Sequence, residues 1–294
     1  MDPVALKQFK PNKDFFIGID SDGCAFDTME IKHKECFIPN IIKHWNLQAV
    51  SKFARAAGEF VNLYSQDRGI NRFPALVKVF DLLMDWPEVQ RRGVDIPRAQ
   101  ALRDWIARET KLANNTLSVE VEKTGDPVLE QALRWSKAVN DSVADMVYGV
   151  PPFPFVRESL EKAQPVADMI VVSATPGEAL AREWQEHDID KFVAVIAGQE
   201  LGSKKEHLQL AAGDGKYKPG HVLMIGDAPG DMKAAQANHA LFYPINPGDE
   251  EASWERFFQE ALDRFLSGTY AGDYEAALIR EFQAKLPSVP PWKK

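Results

Sequence analysis

Cysteine is scarce in this chain of 294 residues, which contains Cys24 and Cys36 and has no Cys-x-x-Cys pair. The two residues provide no spacing suited to a zinc site, and we expect both to be free thiols. No apolar run reaches the length of a membrane span, and residues 1–7 lack the uninterrupted apolar segment of a signal peptide. We therefore expect a soluble, cytoplasmic protein.

Basic residues are fewer than acidic ones, and the formal net charge of the chain is −8. Proteins with a general affinity for nucleic acid or anionic membranes present a basic face, so we predict neither partner. Internal repeats and long low-complexity tracts are absent from the sequence, while Pro287, Pro290 and Pro291 predict an irregular tail. The length suffices for a core domain and a smaller second domain.

Short, nearly continuous apolar runs predict five strands buried on both faces, which is typical of a parallel sheet covered by helices. Helical patterns alternate with the later strands. Thr175 is predicted to cap one helix, with Pro176 at its first position and Glu178 as the capping-box acid. A second helix is predicted to begin near Asp231. The predicted strands are residues 15–19, 169–172, 192–196, 222–225 and 241–243.

Helical spacing replaces the strand pattern between the first and second strands. In its clearest stretch Asp126 is predicted to cap a helix that runs to about Val147, with apolar residues every three or four positions. We interpret this region as a helical insertion in an α/β core. The predicted divisions are residues 1–27 with 151–248 as the core, residues 28–150 as an all-α insertion, and residues 249–294 as a C-terminal helical extension.

Polar side chains follow three of the predicted strands, with the hydroxyl of Ser173 after the second and carboxylates after the other two. Asp20 and Asp22 come directly after the first, and Asp227 follows the fourth. Ligands of open parallel sheets bind outside the carboxyl ends of the strands, so these groups are expected to converge. Clustered carboxylates repel one another unless a hard divalent ion such as Mg²⁺ neutralises them. Taken singly, Asp-x-Asp-Gly is more often an ordinary turn, and the joint placement is what favours a site.

Four motifs in this order resemble those of the haloacid dehalogenase-like superfamily: Asp-Ser-Asp-Gly at 20–23, Ser173, a lysine near 204, and Gly-Asp-Ala-Pro-Gly-Asp at 226–231. The resemblance covers about residues 15–248, and its first and last motifs are specific when taken together. It implies a Rossmann-like, three-layer core with a parallel sheet. It also implies that the helical insertion after the first motif is a mobile cap.

The resemblance further implies a role for each motif residue. Asp20 would attack phosphorus and form an aspartyl phosphate, while Asp22 would protonate the leaving oxygen and then activate water. Mg²⁺ would be held by Asp20, the backbone carbonyl of Asp22, Asp227 and, directly or through a hydrogen bond, Asp231. The predicted phosphate-binding residues are Ser173, Ala174, one lysine of the Lys204–Lys205 pair, with Lys204 favoured, and Gly23 through an accessible amide.

Selectivity is expected from the helical region, where Arg68 and Arg72 flank Gly69. This stretch is either a loop that directs cations toward the substrate or a solvent-facing connection. The function that the resemblance implies is a Mg²⁺-dependent phosphatase of a small phosphorylated metabolite. Two alternatives stay open: a sugar phosphomutase, and a non-catalytic scaffold that uses the C-terminal helices. The sequence indicates no oligomeric state.

Overall fold

The computed structural model of the chain describes residue 6 and residues 8–293. The expected absence of a signal peptide concerns residues 1–7 and, apart from Leu6, lies outside the described residues. Contacts divide the structure into two compact units. The sheet unit comprises the described residues up to Met29 together with Gly149–Pro287. The helical unit comprises Glu30–Tyr148 and the tail from Ser288 to residue 293.

Within the described residues, five parallel strands form one sheet in the order β3-β2-β1-β4-β5. The α/β class and the parallel sheet are confirmed. β1 lies at the centre of the sheet, and its residues 16–19 are buried, which agrees with its nearly continuous apolar sequence. The strands are β1 (Phe15–Ile19), β2 (Ala167–Val172), β3 (Val195–Ala197), β4 (Val222–Gly226) and β5 (Leu241–Pro244).

The other long elements among the described residues are helices. In the region between β1 and β2 they are α1 (Thr28–Ile31), α2 (Ile38–His44), α3 (Ser51–Asn62), α4 (Arg72–Met84), α5 (Pro87–Gln90), α6 (Gln100–Arg108), α7 (Asn114–Thr124), α8 (Pro127–Met146) and α9 (Val156–Ala163). After β2 they are α10 (Gly177–Glu186), α11 (Lys204–Ala212), α12 (Pro229–Ala237), α13 (Glu250–Arg256), α14 (Leu262–Leu266) and α15 (Asp273–Lys285). Wider π-type turns occupy Lys32–Phe37 and Phe257–Ala261.

The predicted helical insertion between β1 and β2 is confirmed, and so is its longest helix. The carboxylate of Asp126 caps α8 by accepting from the amides of Val128 and Leu129 at 2.8 and 3.1 Å. The third strand differs from its prediction, because the chain at Asp190–Phe192 makes a 3₁₀ turn and pairs with β2 only from Val195. A short buried apolar run is compatible with either a strand or a turn. The apolar pattern therefore does not show where the strand begins.

The helical unit is held by a core rich in aromatic side chains. Phe73 of α4 contacts Trp105 of α6 and Trp135 of α8 edge to face, with ring centroids 5.1 and 6.2 Å apart. All three are buried. Such pairs bury large areas and so supply the apolar stabilisation that a bundle of separate helices needs.

The segments after β5 divide between the two units. Trp254 and Phe257 are buried in the same apolar cluster as Ile19 of β1, and the Trp254 indole donates to the carbonyl of Cys24 at 2.7 Å. This bond helps to hold the turn that follows β1. The last described residues instead belong to the helical unit, where Trp292 stacks on Trp86 at 4.2 Å. The predicted irregular tail there contains one 3₁₀ turn, Pro291–Lys293.

Both cysteines are unpaired thiols and are buried. Among the described residues, no helix combines the length and the apolar character that a bilayer crossing requires.

Candidate active site

The register of the sheet brings the functional strand ends together. Ile19 pairs with Val171 of β2 on one side and with Ile225 of β4 on the other. The amide of Asp20 continues this ladder by donating to the Ile225 carbonyl at 3.0 Å. Parallel strands that end at the same level place the residues after them at one edge, so Asp20, Ser173 and Asp227 all lie at the carboxyl edge of the sheet.

The chain turns sharply after Asp20. The carbonyl of Ser21 accepts hydrogen bonds from the amides of Cys24, Ala25 and Phe26, and Gly23 has a φ of +73°. That conformation favours glycine, which agrees with the predicted tight turn. The Gly23 amide is buried, however, and donates to the Phe26 carbonyl at 2.8 Å. The expectation that this amide is accessible to an anion is therefore wrong for this conformation.

Asp20, Asp227 and Asp231 form a buried carboxylate cluster. Their side chains can place one oxygen each within 4.8 Å of one another, and none of the three residues is more than 4% exposed. Asp231 reaches this position from the first turn of α12, where its carboxylate accepts from the Ala228 amide at 3.0 Å. Gly226 permits the close approach, because a Cβ there would lie 2.4 Å from the Asp231 Cβ.

Lys204 joins two members of the carboxylate cluster. Its ammonium lies 2.6 Å from Oδ2 of Asp20 and 2.6 Å from Oδ1 of Asp231. The lysine is placed by the capping box of Ser203 and Glu206, which begins α11 one residue before it. Lys205 follows on the helix and is exposed. Of the two lysines between which the sequence left a choice, Lys204 is therefore the one at this edge.

Burial and charge shift the proton affinities of the cluster in opposite directions. Burial raises the pKa of Asp20 well above its ordinary value, Lys204 opposes the rise, and Asp231 and Asp227 add to it. The pKa of Asp231 is raised for the same reason. Burial by itself would lower the pKa of Lys204, but the neighbouring carboxylates raise it above the ordinary range. The side chain of Lys204 is therefore protonated and positively charged in the cluster.

The donor set of the cluster fits a divalent cation. Three carboxylates against one ammonium leave two uncompensated negative charges in a buried place when all groups are ionised. Buried charges are costly unless they are balanced, and a doubly charged ion would balance these. Carboxylate oxygens are also the ligands of hard ions. The buried aspartate cluster could therefore hold a metal ion.

Asp22 is held by two hydroxyl groups. Thr28 Oγ1 donates to one carboxylate oxygen at 2.5 Å, and Thr175 Oγ1 donates to the other at 2.6 Å. Thr175 was predicted to cap the helix after β2, and this prediction is wrong. The helix begins at Gly177 with Pro176 as its cap, because the threonine hydroxyl is engaged by Asp22. Two hydrogen bonds to one carboxylate fix its orientation.

Ser173 and Ala174 follow β2 at the same edge. Ser173 is 2% exposed, and its Oγ accepts from the Thr175 amide at 3.2 Å. Ala174 is exposed. Ser173 is thus rigidly placed in a loop that also carries Thr175, whereas Ala174 has only its backbone to offer a ligand.

The two arginines of interest belong to the helical unit. Arg68 is 3% exposed and donates to the carbonyl of Leu63 at 2.9 Å, among other interactions. Arg72 is partly buried, donates to the carbonyl and hydroxyl of Ser136, and lies 5.0 Å from the centroid of the Phe37 ring. Burial lowers the pKa of Arg72 to about 10. Neither side chain is the solvent-facing loop residue of the alternative interpretation.

Thr28 and Thr175 are partners of Asp22 that the sequence pattern does not indicate. Thr175 was explained as a helix cap, and nothing in the spacing of Thr28 distinguishes it from other polar residues. The tight turn at 20–26 is the only local signal that residue 28 comes back toward Asp22.

Comparison with known proteins gives one match in sequence families and several among solved structures. A family model described as haloacid dehalogenase-like hydrolase matches residues 104–242, a range that contains Ser173, Lys204, Asp227 and Asp231. No curated protein matches the chain in sequence.

The similar solved structures are distant. A haloacid dehalogenase-like family hydrolase from Streptococcus pneumoniae is 15% identical, covers 83% of this chain and 90% of its own, and has a TM-score of 0.43. A predicted phosphoglycolate phosphatase from Haemophilus somnus is 18% identical over 81% and 88%, with a TM-score of 0.41. A HAD-superfamily hydrolase of subfamily IA from Geobacter sulfurreducens is 15% identical over 80% and 89%, with a TM-score of 0.40. None of these structures identifies a substrate for this chain.

Proposed function

We propose that this chain, which belongs to the haloacid dehalogenase-like hydrolase superfamily, is a Mg²⁺-dependent phosphatase that acts on a small phosphorylated metabolite. One observation supports the proposal above the others. A buried carboxylate cluster at the carboxyl edge of the sheet includes Asp20, while a second carboxylate two residues away is held separately by hydroxyl groups. Asp20 and Asp22 would then serve as nucleophile and proton carrier next to the carboxylate cluster that could hold a metal ion.

In the proposed first step, Asp20 attacks the phosphorus of the ester. The bond between its carboxylate oxygen and phosphorus forms as the bond from phosphorus to the leaving oxygen breaks. Asp22, protonated at this stage, gives its proton to the leaving oxygen, which departs as an alcohol. The hydroxyls of Thr28 and Thr175 keep the Asp22 carboxyl in place during this transfer.

In the proposed second step, water attacks the aspartyl phosphate and Asp22 takes a proton from that water. The bond between Asp20 and phosphorus breaks, inorganic phosphate leaves, and Asp20 is a carboxylate again. Asp22 is then protonated and ready for the next ester. The same residue therefore serves as acid and as base in successive steps.

Charge stabilisation is assigned to three kinds of group. Lys204 and the Ser173 hydroxyl would bind phosphoryl oxygens, with the backbone at Ala174 as a further donor. Asp20, Asp227 and Asp231, with the carbonyl of Asp22, would hold Mg²⁺. When bound, Mg²⁺ supplies positive charge that offsets the repulsion between the attacking carboxylate and the phosphoryl group.

The helical unit is proposed to act as a cap that gives selectivity. Arg68 and Arg72 are the side chains proposed to contribute to it, since an arginine recognises anionic groups through its fork of N–H donors. A cytoplasmic location stays a prediction of the sequence.

The test of the proposed reaction is hydrolysis of p-nitrophenyl phosphate with and without MgCl₂. We compare the parent chain with Asp20→Asn, which keeps the size of the side chain and removes its nucleophilic charge. Asp214→Asn is the matched control, because Asp214 is exposed and its positive φ suits asparagine equally well. We expect magnesium-dependent turnover in the parent and the control, and a loss of about 10³-fold or more in Asp20→Asn. Equal activity in all three proteins would remove Asp20 from the role of nucleophile.

The substrate is sought by screening phosphorylated metabolites for phosphate release. A metabolite that yields an isomeric phosphate ester in place of free phosphate, with a requirement for a bisphosphorylated activator, would convert the assignment to a mutase. Magnesium binding without turnover of any ester would indicate a non-catalytic protein.

A further inference from the structure

Ser21 lies between the proposed nucleophile and the proposed proton carrier, and its backbone is bonded on both sides. Its amide donates to Oδ1 of Asp20 at 2.8 Å. Its carbonyl accepts from the three amides of the turn that follows, those of residues 24–26. Any rotation of Ser21 would therefore turn the carboxylate of Asp20 and displace the loop that carries Asp22.

The side chain of Ser21 is fixed by two neighbours on α10. Trp184 Nε1 donates to Ser21 Oγ at 3.0 Å, and Ser21 Oγ donates to Glu183 Oε2 at 3.0 Å. The chemistry of the groups sets these directions, because an indole N–H can only donate and an ionised carboxylate can only accept. With its one proton directed to Glu183 and its acceptor side directed to Trp184, the Ser21 hydroxyl has one favourable orientation.

Burial excludes water from the hydrogen bonds of Ser21. Ser21 and Trp184 have no exposed surface, and Glu183 is half-buried. Trp184 is itself held by an edge-to-face contact with Phe26, whose ring centroid is 5.9 Å away. A buried hydroxyl that loses its partners cannot replace them with water, so the chain keeps the geometry shown.

The segment that leads into α10 also supports Asp22. Thr175, which precedes α10 by two residues, donates to the Asp22 carboxylate. The segment from Thr175 to Trp184 thus touches the Asp20-Ser21-Asp22 loop at both its central and its last residue. A single rigid element that bonds two points of a loop fixes the relative placement of the groups between them.

We propose that Glu183 and Trp184 are positioning residues, which hold Ser21 so that its amide keeps the carboxylate of Asp20 oriented for attack. The inference rests on the proposed function, since it gives Asp20 the role of nucleophile. Neither residue touches the reacting atoms. Their action passes through the hydroxyl and then the amide of Ser21.

The experiment compares Glu183→Ala, Glu183→Gln and Gln185→Ala in the full chain, with p-nitrophenyl phosphate and saturating MgCl₂. Gln185 is exposed on the same helix two residues away, and its truncation removes as many atoms as that of Glu183. Glutamine at 183 keeps a carbonyl oxygen that can accept from Ser21. We expect kcat of Glu183→Ala to fall about tenfold with KM nearly unchanged, and Glu183→Gln to recover most of the loss.

Trp184→Phe tests the second contact, because phenylalanine keeps a large ring and removes only the indole donor. We expect a fall in kcat of about tenfold again, and no larger loss when Trp184→Phe and Glu183→Ala are combined, since both act through one hydroxyl. Thermal unfolding of every variant accompanies the kinetics.

The outcomes separate this inference from the proposed function. A parent protein without magnesium-dependent turnover would overturn the proposed function and this inference with it. An active parent with unchanged kcat in Glu183→Ala and Trp184→Phe would overturn the inference alone. A loss that Glu183→Gln does not recover, and that follows the fall in melting temperature, would assign these residues a structural role only.

If Glu183→Ala fails to fold, the indole N–H of Trp184 provides a second measurement in the Glu183→Gln and Ser21→Ala proteins. We expect its proton NMR resonance to shift in Ser21→Ala and to keep nearly its parent position in Glu183→Gln. An indole resonance that is the same in the parent and in Ser21→Ala would contradict the bond on which the inference depends.

Discussion

The sheet unit and the helical unit bury different kinds of polar side chain. The sheet unit buries the carboxylates of Asp20, Asp168, Asp227 and Asp231. In the helical unit the buried polar residues that the structure describes are neutral apart from Arg68, and none is a carboxylate. Buried carboxylates raise the free energy of the fold unless a cation balances them. The cluster of three carboxylates in the sheet unit is therefore costly for stability, which indicates that it has a function.

The helical unit has a different balance. Its interior consists of aromatic and aliphatic side chains, with Trp105 and Trp135 among the largest buried groups. Stability there comes from apolar area, whereas the carboxylate cluster depends on charge. The two units should consequently respond differently to loss of charge, to magnesium and to loss of apolar contacts.

The largest effect is expected from Lys204→Met, which removes the only cation bonded to both Asp20 and Asp231 among the contacts described. Without magnesium we expect the variant to lose about 3–5 kcal/mol of unfolding free energy, because a buried charge has lost its partner. Magnesium should restore part of that loss, while turnover stays at least about 100-fold below the parent. Urea denaturation with and without MgCl₂ measures the first two effects.

The exposed neighbour provides the control for this change. Lys205→Met should alter the unfolding free energy by less than about 0.5 kcal/mol. A Lys204→Met protein as stable as Lys205→Met would show that the cluster does not need the ammonium.

In the helical unit, Trp105→Ala should cost about 3–5 kcal/mol by leaving a cavity next to Phe73. In contrast to Lys204→Met, the loss should not be recovered by magnesium, since no carboxylate of the cluster is involved. Denaturation of this variant at increasing MgCl₂ concentration checks the contrast. If magnesium restored as much unfolding free energy to Trp105→Ala as to Lys204→Met, the proposed difference between the two units would be wrong.

Magnesium at about 100 times its dissociation constant should add about 2.7 kcal/mol to the stability of the parent. Asp227→Asn should lose most of this increment. Asp168→Asn is the matched control, because Asp168 is a buried carboxylate of the same unit that bonds Tyr217 and lies outside the cluster. Its melting temperature should be lower than that of the parent and should still rise with magnesium. An equal response of the two variants would remove Asp227 from the metal site.

Acidification should act on the sheet unit through His207. Burial lowers the pKa of this histidine to about 4, with nearby Lys204 adding to the effect. The unfolded chain then binds a proton near the ordinary histidine pKa of about 6.5, before the folded protein does. Stability is therefore fully present above about pH 6.5 and falls by roughly 2 kcal/mol as the pH drops toward 4.

Denaturation from pH 7.5 to 4 in the parent, in His207→Gln and in His239→Gln measures this contribution. His239 is exposed and serves as the control. The difference in slope between the parent and His207→Gln isolates the histidine from the carboxylates. Parallel curves for the parent and His207→Gln would contradict the prediction.

The smallest effect is expected from the tail. Trp292→Ala should reduce the stability of the helical unit by about 1 kcal/mol, because the indole stacks on Trp86 and packs edge-on against Phe60. The exposed Val289→Ala should change little. Thermal unfolding of both variants measures whether the tail stabilises the helical unit. Equal melting temperatures for the two variants would show that it does not.

Much of the fold could be predicted because its signals are local. The apolar runs of β1, β2, β4 and β5 and the capped helix after Asp126 follow from patterns within about 20 residues. The third strand was misplaced because a short apolar run does not distinguish a buried strand from a buried turn. Thr175 was misassigned for a related reason, since a hydroxyl before a helix is usually a cap and only its true partner shows otherwise.

Reading the sequence is enough to place Asp20 and Asp22 after a buried strand, and other polar residues after β2 and β4. These are properties of single segments. The contacts between segments are visible only in the folded chain: Lys204 bridges Asp20 and Asp231, two threonines hold Asp22, and two residues of α10 hold Ser21. Those partners lie from 6 to 184 residues apart in the chain. A contact across such separations depends on the register of the sheet and the placement of helices on it, which no local pattern specifies.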